Sequence, residues 1–197
     1  MHQLNDNYKP VVLPVDYNRS FLDFSNEELR EYYLWFLKIK DDRLDAFCDF
    51  LFSEKDSCLS ERNINVIEVL LQNSISVYPK PDKQISFERE QIPSHLKGFA
   101  KPDEYLFDKR TISLCFDIGI FLGDLIVSLD KKVKWNQETD INFADFGQPI
   151  LQKKGCLLKI NPFRVSKNIA ARIHEGSYIN GQLALAFSTW KKGFKVP

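Results

Sequence analysis

Two aspartates and two glycines interrupt an otherwise apolar run, FDIGIFLGDL at residues 116 to 125. Carboxylates in such a setting are costly to bury, and a perturbed carboxylate is a common mark of an active site. Asp117 and Asp124 are seven apart, two helical turns, so on a helix they share one face roughly 10 Å apart along the axis. That separation is too long for sharing a proton but would allow the pair to bracket a ligand in a pocket. The simpler reading is that each is hydrogen-bonded or paired with a base, Arg110 or one from the C-terminal segment. No histidine or further carboxylate lies within one turn of either, which favours the simpler reading.

Other chemistry is thinly represented. The chain has no phosphate-binding GxxxxGK[ST] loop, no GxSxG elbow, no HExxH and no dinucleotide GxGxxG. His2, His95 and His174 stand far apart, without a second ligand at metal-site spacing. No cofactor and no metal are expected, and no catalytic residue is assigned. Cys48, Cys58, Cys115 and Cys156 form no CxxC pair, which predicts reduced core thiols in a cytoplasmic protein and not a disulfide framework.

Charge gives a second set of candidates. The 27 basic and 27 acidic residues cancel overall, but from Lys153 onward nine bases face the single acid Glu175. The preceding residues are correspondingly acidic, with 13 acids and seven bases between Asp16 and Glu68. Glu27, Glu28, Glu31, Asp41, Asp42, Asp45 and Asp49 are candidates for contact with a basic partner such as a toxin that cuts nucleic acid. The plain alternative is a solvated helix face. Arg164, Lys167 and Arg172 form a basic patch on one helix, and Lys191 and Lys192 beside Trp190 would supply phosphate contacts and a stacking surface. The neutral whole chain and its acidic body weigh against nucleic acid.

These residues must be carried by a real core, and 44% hydrophobic with 13% aromatic content over 197 residues provides one. No secretory pattern opens the sequence and no uninterrupted apolar stretch reaches membrane-spanning length, so no membrane association is expected. Residues 1–24, with Pro10 and Pro14, read as an extended arm on a single domain of residues 25–197. Its helical part covers 25–130 and its sheet-and-helix part 131–197. Ser25 and Glu28 form a capping box for a helix from about Asn26 to Ile39. KIKDD reads as a break before a second helix ending near Phe52, and a third begins at Ser60.

Residues 83–102 lack periodicity and read as a long loop, after which Asp103 opens the longest helix, running to Leu129 as a buried central element. KKVKW alternates like a strand, GQPIL and CLLKI like a hairpin, and Asn161-Pro162 is a helix entry that Gly176 closes. LALAFSTW fits either a helix or a strand, and KKGFKVP reads as a loosely held tail. The order, helices followed by a small antiparallel sheet and a C-terminal helix, is that of an α+β fold.

The combination EYYLWFL, DIGIFLGD, KVKW, GQPIL and NPF resembles an uncharacterised bacterial family of small cytosolic proteins. Its pattern is a YFxWF helix, a DxGxYxGE helix and a W...QP...NP sheet. Here Phe121 replaces the tyrosine and Asp124 the glutamate. The resemblance implies an immunity role beside toxin cassettes and brings no catalytic residues. Three readings stand: a protein-binding module of the immunity type, a nucleic-acid binder using the basic segment, and a small enzyme built on Asp117 and Asp124.

Overall fold

The computed structural model describes residues 7–14, 20–52 and 58–196. Its α+β fold has a long central helix, further helices around it and two small antiparallel sheets. The elements are α1 (Asn26–Leu51), α2 (Ile64–Gln72), β1 (Val77–Pro79), α3 (Asp82–Gln91), β2 (Tyr105–Phe107), α4 (Lys109–Leu129), β3 (Val133–Gln137), β4 (Pro149–Lys153), β5 (Lys159–Ile160), α5 (Pro162–His174) and α6 (Gln182–Phe194).

The capping box at α1 forms as read: the Glu28 amide donates to Ser25 Oγ at 3.2 Å, and the Ser25 amide to Glu28 Oε2 at 2.7 Å. The expected break at KIKDD does not occur. That stretch holds no glycine or proline, and α1 runs through it for 26 residues. The central helix starts at Lys109, not Asp103, because Asp108 is its cap, accepting from the Thr111 amide at 2.7 Å. The residues before it instead form β2, which pairs antiparallel with β1, Val77 opposite Phe107. α3 and a short 3-10 turn at Ser94–Leu96 replace much of the expected loop. α3 buries none of its residues, so no apolar period marks it in the sequence.

From Ser113 to Gly123 every residue of α4 is buried. It is the one described helix long and apolar enough to cross a membrane, yet 78% of that stretch is buried inside the fold, where it serves as the core. Phe36, Phe116, Ile120 and Phe163 pack along one flank, with the rings of Phe116 and Phe163 stacked at 4.7 Å. A Cβ on Gly119 would stand 2.3 Å from Phe163 Cδ1 and 3.0 Å from its backbone nitrogen; one on Gly123 would stand 2.1 Å from Trp135 Cζ2. The glycines therefore admit the start of α5 and the indole of β3.

β3, β4 and β5 form a three-stranded antiparallel sheet, with Trp135 opposite Leu151 and Leu151 opposite Ile160. Asn161 caps α5, its Oδ1 accepting from the Phe163 and Arg164 amides at 3.0 and 3.1 Å. LALAFSTW is helical, and α6 extends to Phe194. The tail is not loose, because Phe194 and Val196 are buried. Buried Glu68 of α2 receives the amides of Gly181 and Leu183 at 3.0 and 3.2 Å, supplying from another helix the cap that α6 lacks.

The thiol expectation fails for half the cysteines. Cys48, at the end of α1, and Cys58 are joined in a disulfide across ten residues, with Cα atoms 5.7 Å apart. Cys115 and Cys156 remain free thiols.

Candidate functional site

Both aspartates of the opening motif are engaged. Asp117, 1% exposed, receives Arg43 Nε at 2.9 Å on one oxygen and Arg43 Nη2 on the other, and the Tyr8 hydroxyl donates to it as well. Tyr8 also lies 2.8 Å from Ser113 Oγ, which accepts the Val11 amide at 2.7 Å, while Arg43 Nη1 donates to the Lys9 carbonyl at 2.9 Å. The cluster fastens residues 8–11 and α1 to the middle of α4. Burial pushes the Asp117 carboxyl above its ordinary range, with Arg43 and Tyr8 drawing it back. Burial, with Asp117 alongside, raises the Tyr8 phenol well above its ordinary value.

Asp124 accepts Trp135 Nε1 at 2.6 Å and faces Lys40 Nζ at 3.4 Å. The partners are thus Lys40 and Arg43 of α1, not Arg110 or a C-terminal base. Lys40 lies in the stretch read as a helix break and Arg43 directly after it, which hid them. The arrangement can hold helices together. It offers no unengaged acid or base for turnover, and neither aspartate lines the open cleft described below.

The continuity of α1 alters the acidic candidates. At 3.6 residues per turn, Glu27, Glu31, Asp41, Asp42, Asp45 and Asp49 fall within a sector of roughly 100°, along roughly 33 Å of helix. All six are exposed. Lys38 is the one base in that sector, Lys40 pairs with Asp41 from beside it, and Leu34, 52% exposed, lies inside it. Glu28 lies off the stripe and is committed to the capping box.

Four of the nine bases of the basic segment are answered by acids of the acidic body. Lys153 pairs with Asp130 at 2.8 Å, Lys159 with Glu138 at 2.8 Å, Arg164 with Asp145 at 3.0 Å and Lys191 with Glu61 at 2.7 Å. Lys167 and Arg172 are exposed on α5, and Lys192 on α6. Trp190 is only 6% exposed, so the stacking surface expected beside Lys191 and Lys192 is not available to a base.

The sequence did not disclose an open cleft of about 560 Å³ between segment 10–13, the β1–β2 pair, α3, the start of α4 and Lys167 of α5. Its residues come from six separate segments, and β1, β2 and α3 carry no strong local pattern. Among the described residues no group of three or more His, Cys, Asp or Glu side chains is placed to hold a metal. Comparison of the chain with protein-family models, with curated proteins and with solved structures found no match.

Proposed function

We propose that the chain is a non-enzymatic protein-binding module that presents the acidic stripe of α1 to a basic surface. The concrete form of this reading is an immunity protein that covers the cationic cleft of a nucleic-acid-cutting toxin. The supporting observation is the unbroken course of α1, which sets Glu27 and Glu31 in line with Asp41, Asp42, Asp45 and Asp49. Two short helices with a break would have no reason to share that line. Leu34 gives the stripe an apolar anchor, and charges of one sign supply steering and register. The commitment of Asp117 and Asp124 to α1 and β3 favours this reading over the enzymatic one.

The test is co-expression with the product of the neighbouring gene. A neighbour toxic alone and silenced by this chain is expected. The co-purified complex should weaken between 50 and 500 mM salt (about a tenfold range) as counterions screen the contact. Asp45→Lys with Asp49→Lys should abolish protection while leaving the thermal melt unchanged. A harmless neighbour, or protection indifferent to the charge reversal, overturns the reading.

A further inference from the structure

The cleft beside segment 10–13 shares no residue with the acidic stripe of α1, and its volume of about 560 Å³ lies in the range of small-molecule sites. Val11, Leu13, Phe107 and Ile112 give it apolar walls. Its charged lining is three lysines against two carboxylates: Lys80, Lys109 and Lys167 with Glu88 and Asp103. These charges are not equivalent. Lys80 is buried and committed to Glu88 at 2.8 Å, and Glu88 also receives Gln84 Nε2 at 3.1 Å. Asp108 has already taken the Thr111 amide, so the first turn of α4 is capped from within.

Selection by charge is left to Lys109 and Lys167, opposed by Asp103 alone. Both lysines are exposed, and neither has an ion pair or hydrogen bond among the described residues. A cation would meet two ammonium groups here. A multiply charged anion would keep an uncompensated charge beside Asp103 after satisfying both lysines. The surplus of one positive charge over apolar walls suits a single negative charge on an apolar body. Segment 10–13 is held as a wall by the bond from the Val11 amide to Ser113 and by the Tyr8 anchor, so the cleft is largely formed before a ligand arrives.

We propose that this cleft binds a small amphipathic carboxylate, its apolar body against Val11, Leu13, Phe107 and Ile112 and its carboxylate held by Lys109 and Lys167. The experiment is calorimetric titration of the full chain with decanoate, decanol, decyl phosphate and decyltrimethylammonium, together with amide shift mapping. Decanoate should saturate one site, shifting amides within 11–13, 78–88, 103–112 and 165–169. It should bind at least tenfold more tightly than decanol, and the ammonium probe should not bind.

Lys109→Gln with Lys167→Gln should weaken decanoate at least tenfold and leave decanol unchanged, and Asp45→Lys with Asp49→Lys should change neither. If the double lysine variant loses its fold, each single variant is titrated and should weaken decanoate severalfold. Equal affinity for decanoate and decanol, shifts outside these segments, indifference to the lysine substitutions, tenfold tighter binding of decyl phosphate, or no saturable heat at millimolar decanoate would each overturn the proposal.

Discussion

Arg43 grips both carboxylate oxygens of Asp117 across 74 residues of sequence, from the third turn before the end of α1 into the buried middle of α4. Fork-on-carboxylate geometry gives orientation as well as attraction, and here it fixes how α1 lies on the core helix. The same guanidinium holds the Lys9 carbonyl, so the position of segment 8–11 depends on it too. The acidic stripe and the wall of the cleft are therefore both referred to one buried ion pair.

Arg43→Met should destabilise the fold by about 3–5 kcal/mol, because it strands the Asp117 carboxylate in a site 1% exposed. Adding Asp117→Asn removes the stranded charge and should recover at least half of that loss. Urea unfolding of the two variants decides it. A single variant as stable as the parent would show that the pair contributes nothing to the fold.

Gly123→Ala should cost about 1–3 kcal/mol, the usual range for overpacking. The added methyl would stand 2.1 Å from the Trp135 ring, and Asp124 holds that ring by its Nε1 at 2.6 Å, so it cannot simply swing away. Gly98→Ala, with nothing within 4 Å of the new methyl, is the control and should leave the melt unchanged. Trp135 emission should shift in the first variant and not in the second.

What the sequence discloses here follows the range of the forces involved. Caps are local, so Ser25 with Glu28, and Asn161 with Pro162, announce α1 and α5 at their true starts. The apolar run of α4 announces a core helix. KIKDD misleads because polarity resembles a break, whereas a helix ends for want of backbone partners or for a residue that cannot continue it. β1 and β2 are three residues each and pair across an intervening helix, so their stability is tertiary and leaves little local trace. The partners of Asp117 and Asp124 were unreadable for the same reason: Lys40 and Arg43 reach them only after α1 has packed on α4.

Removing the Cys48–Cys58 bridge by paired substitution to alanine should cost roughly 2–3 kcal/mol, the loop-closure entropy of a ten-residue span. Thiol labelling separates the remaining cysteines. Burial pushes the Cys115 thiol up to about 12, so at pH 8 it is protonated as well as inaccessible. Iodoacetamide on the native, unreduced protein should mark Cys156 and spare Cys115 until denaturant is added. Peptide mapping reads this directly, and native labelling of Cys115 would show that the centre of α4 opens readily.

Acid sensitivity should include a specific contribution from Asp130. Its carboxyl is held below the ordinary range first by the Lys153 ammonium, 2.8 Å away, and then by the Lys132 amide, which donates at 2.9 Å. With its pKa lower folded than unfolded, the group's stabilisation is fully present above the unfolded value, about 3.9, and is lost as pH falls through the folded one. Lys153→Met should raise the Asp130 midpoint in a carboxyl NMR titration yet leave it below that of a free aspartate, since the Lys132 amide remains. The stability gap between parent and variant should be constant near neutrality and narrow on the acid side. It should not close, because Lys153 also donates to the Phe194 carbonyl at 2.7 Å, a bond that does not titrate with Asp130. A gap unchanged down to the acid limit would assign the whole effect of Lys153 to its hold on the end of α6.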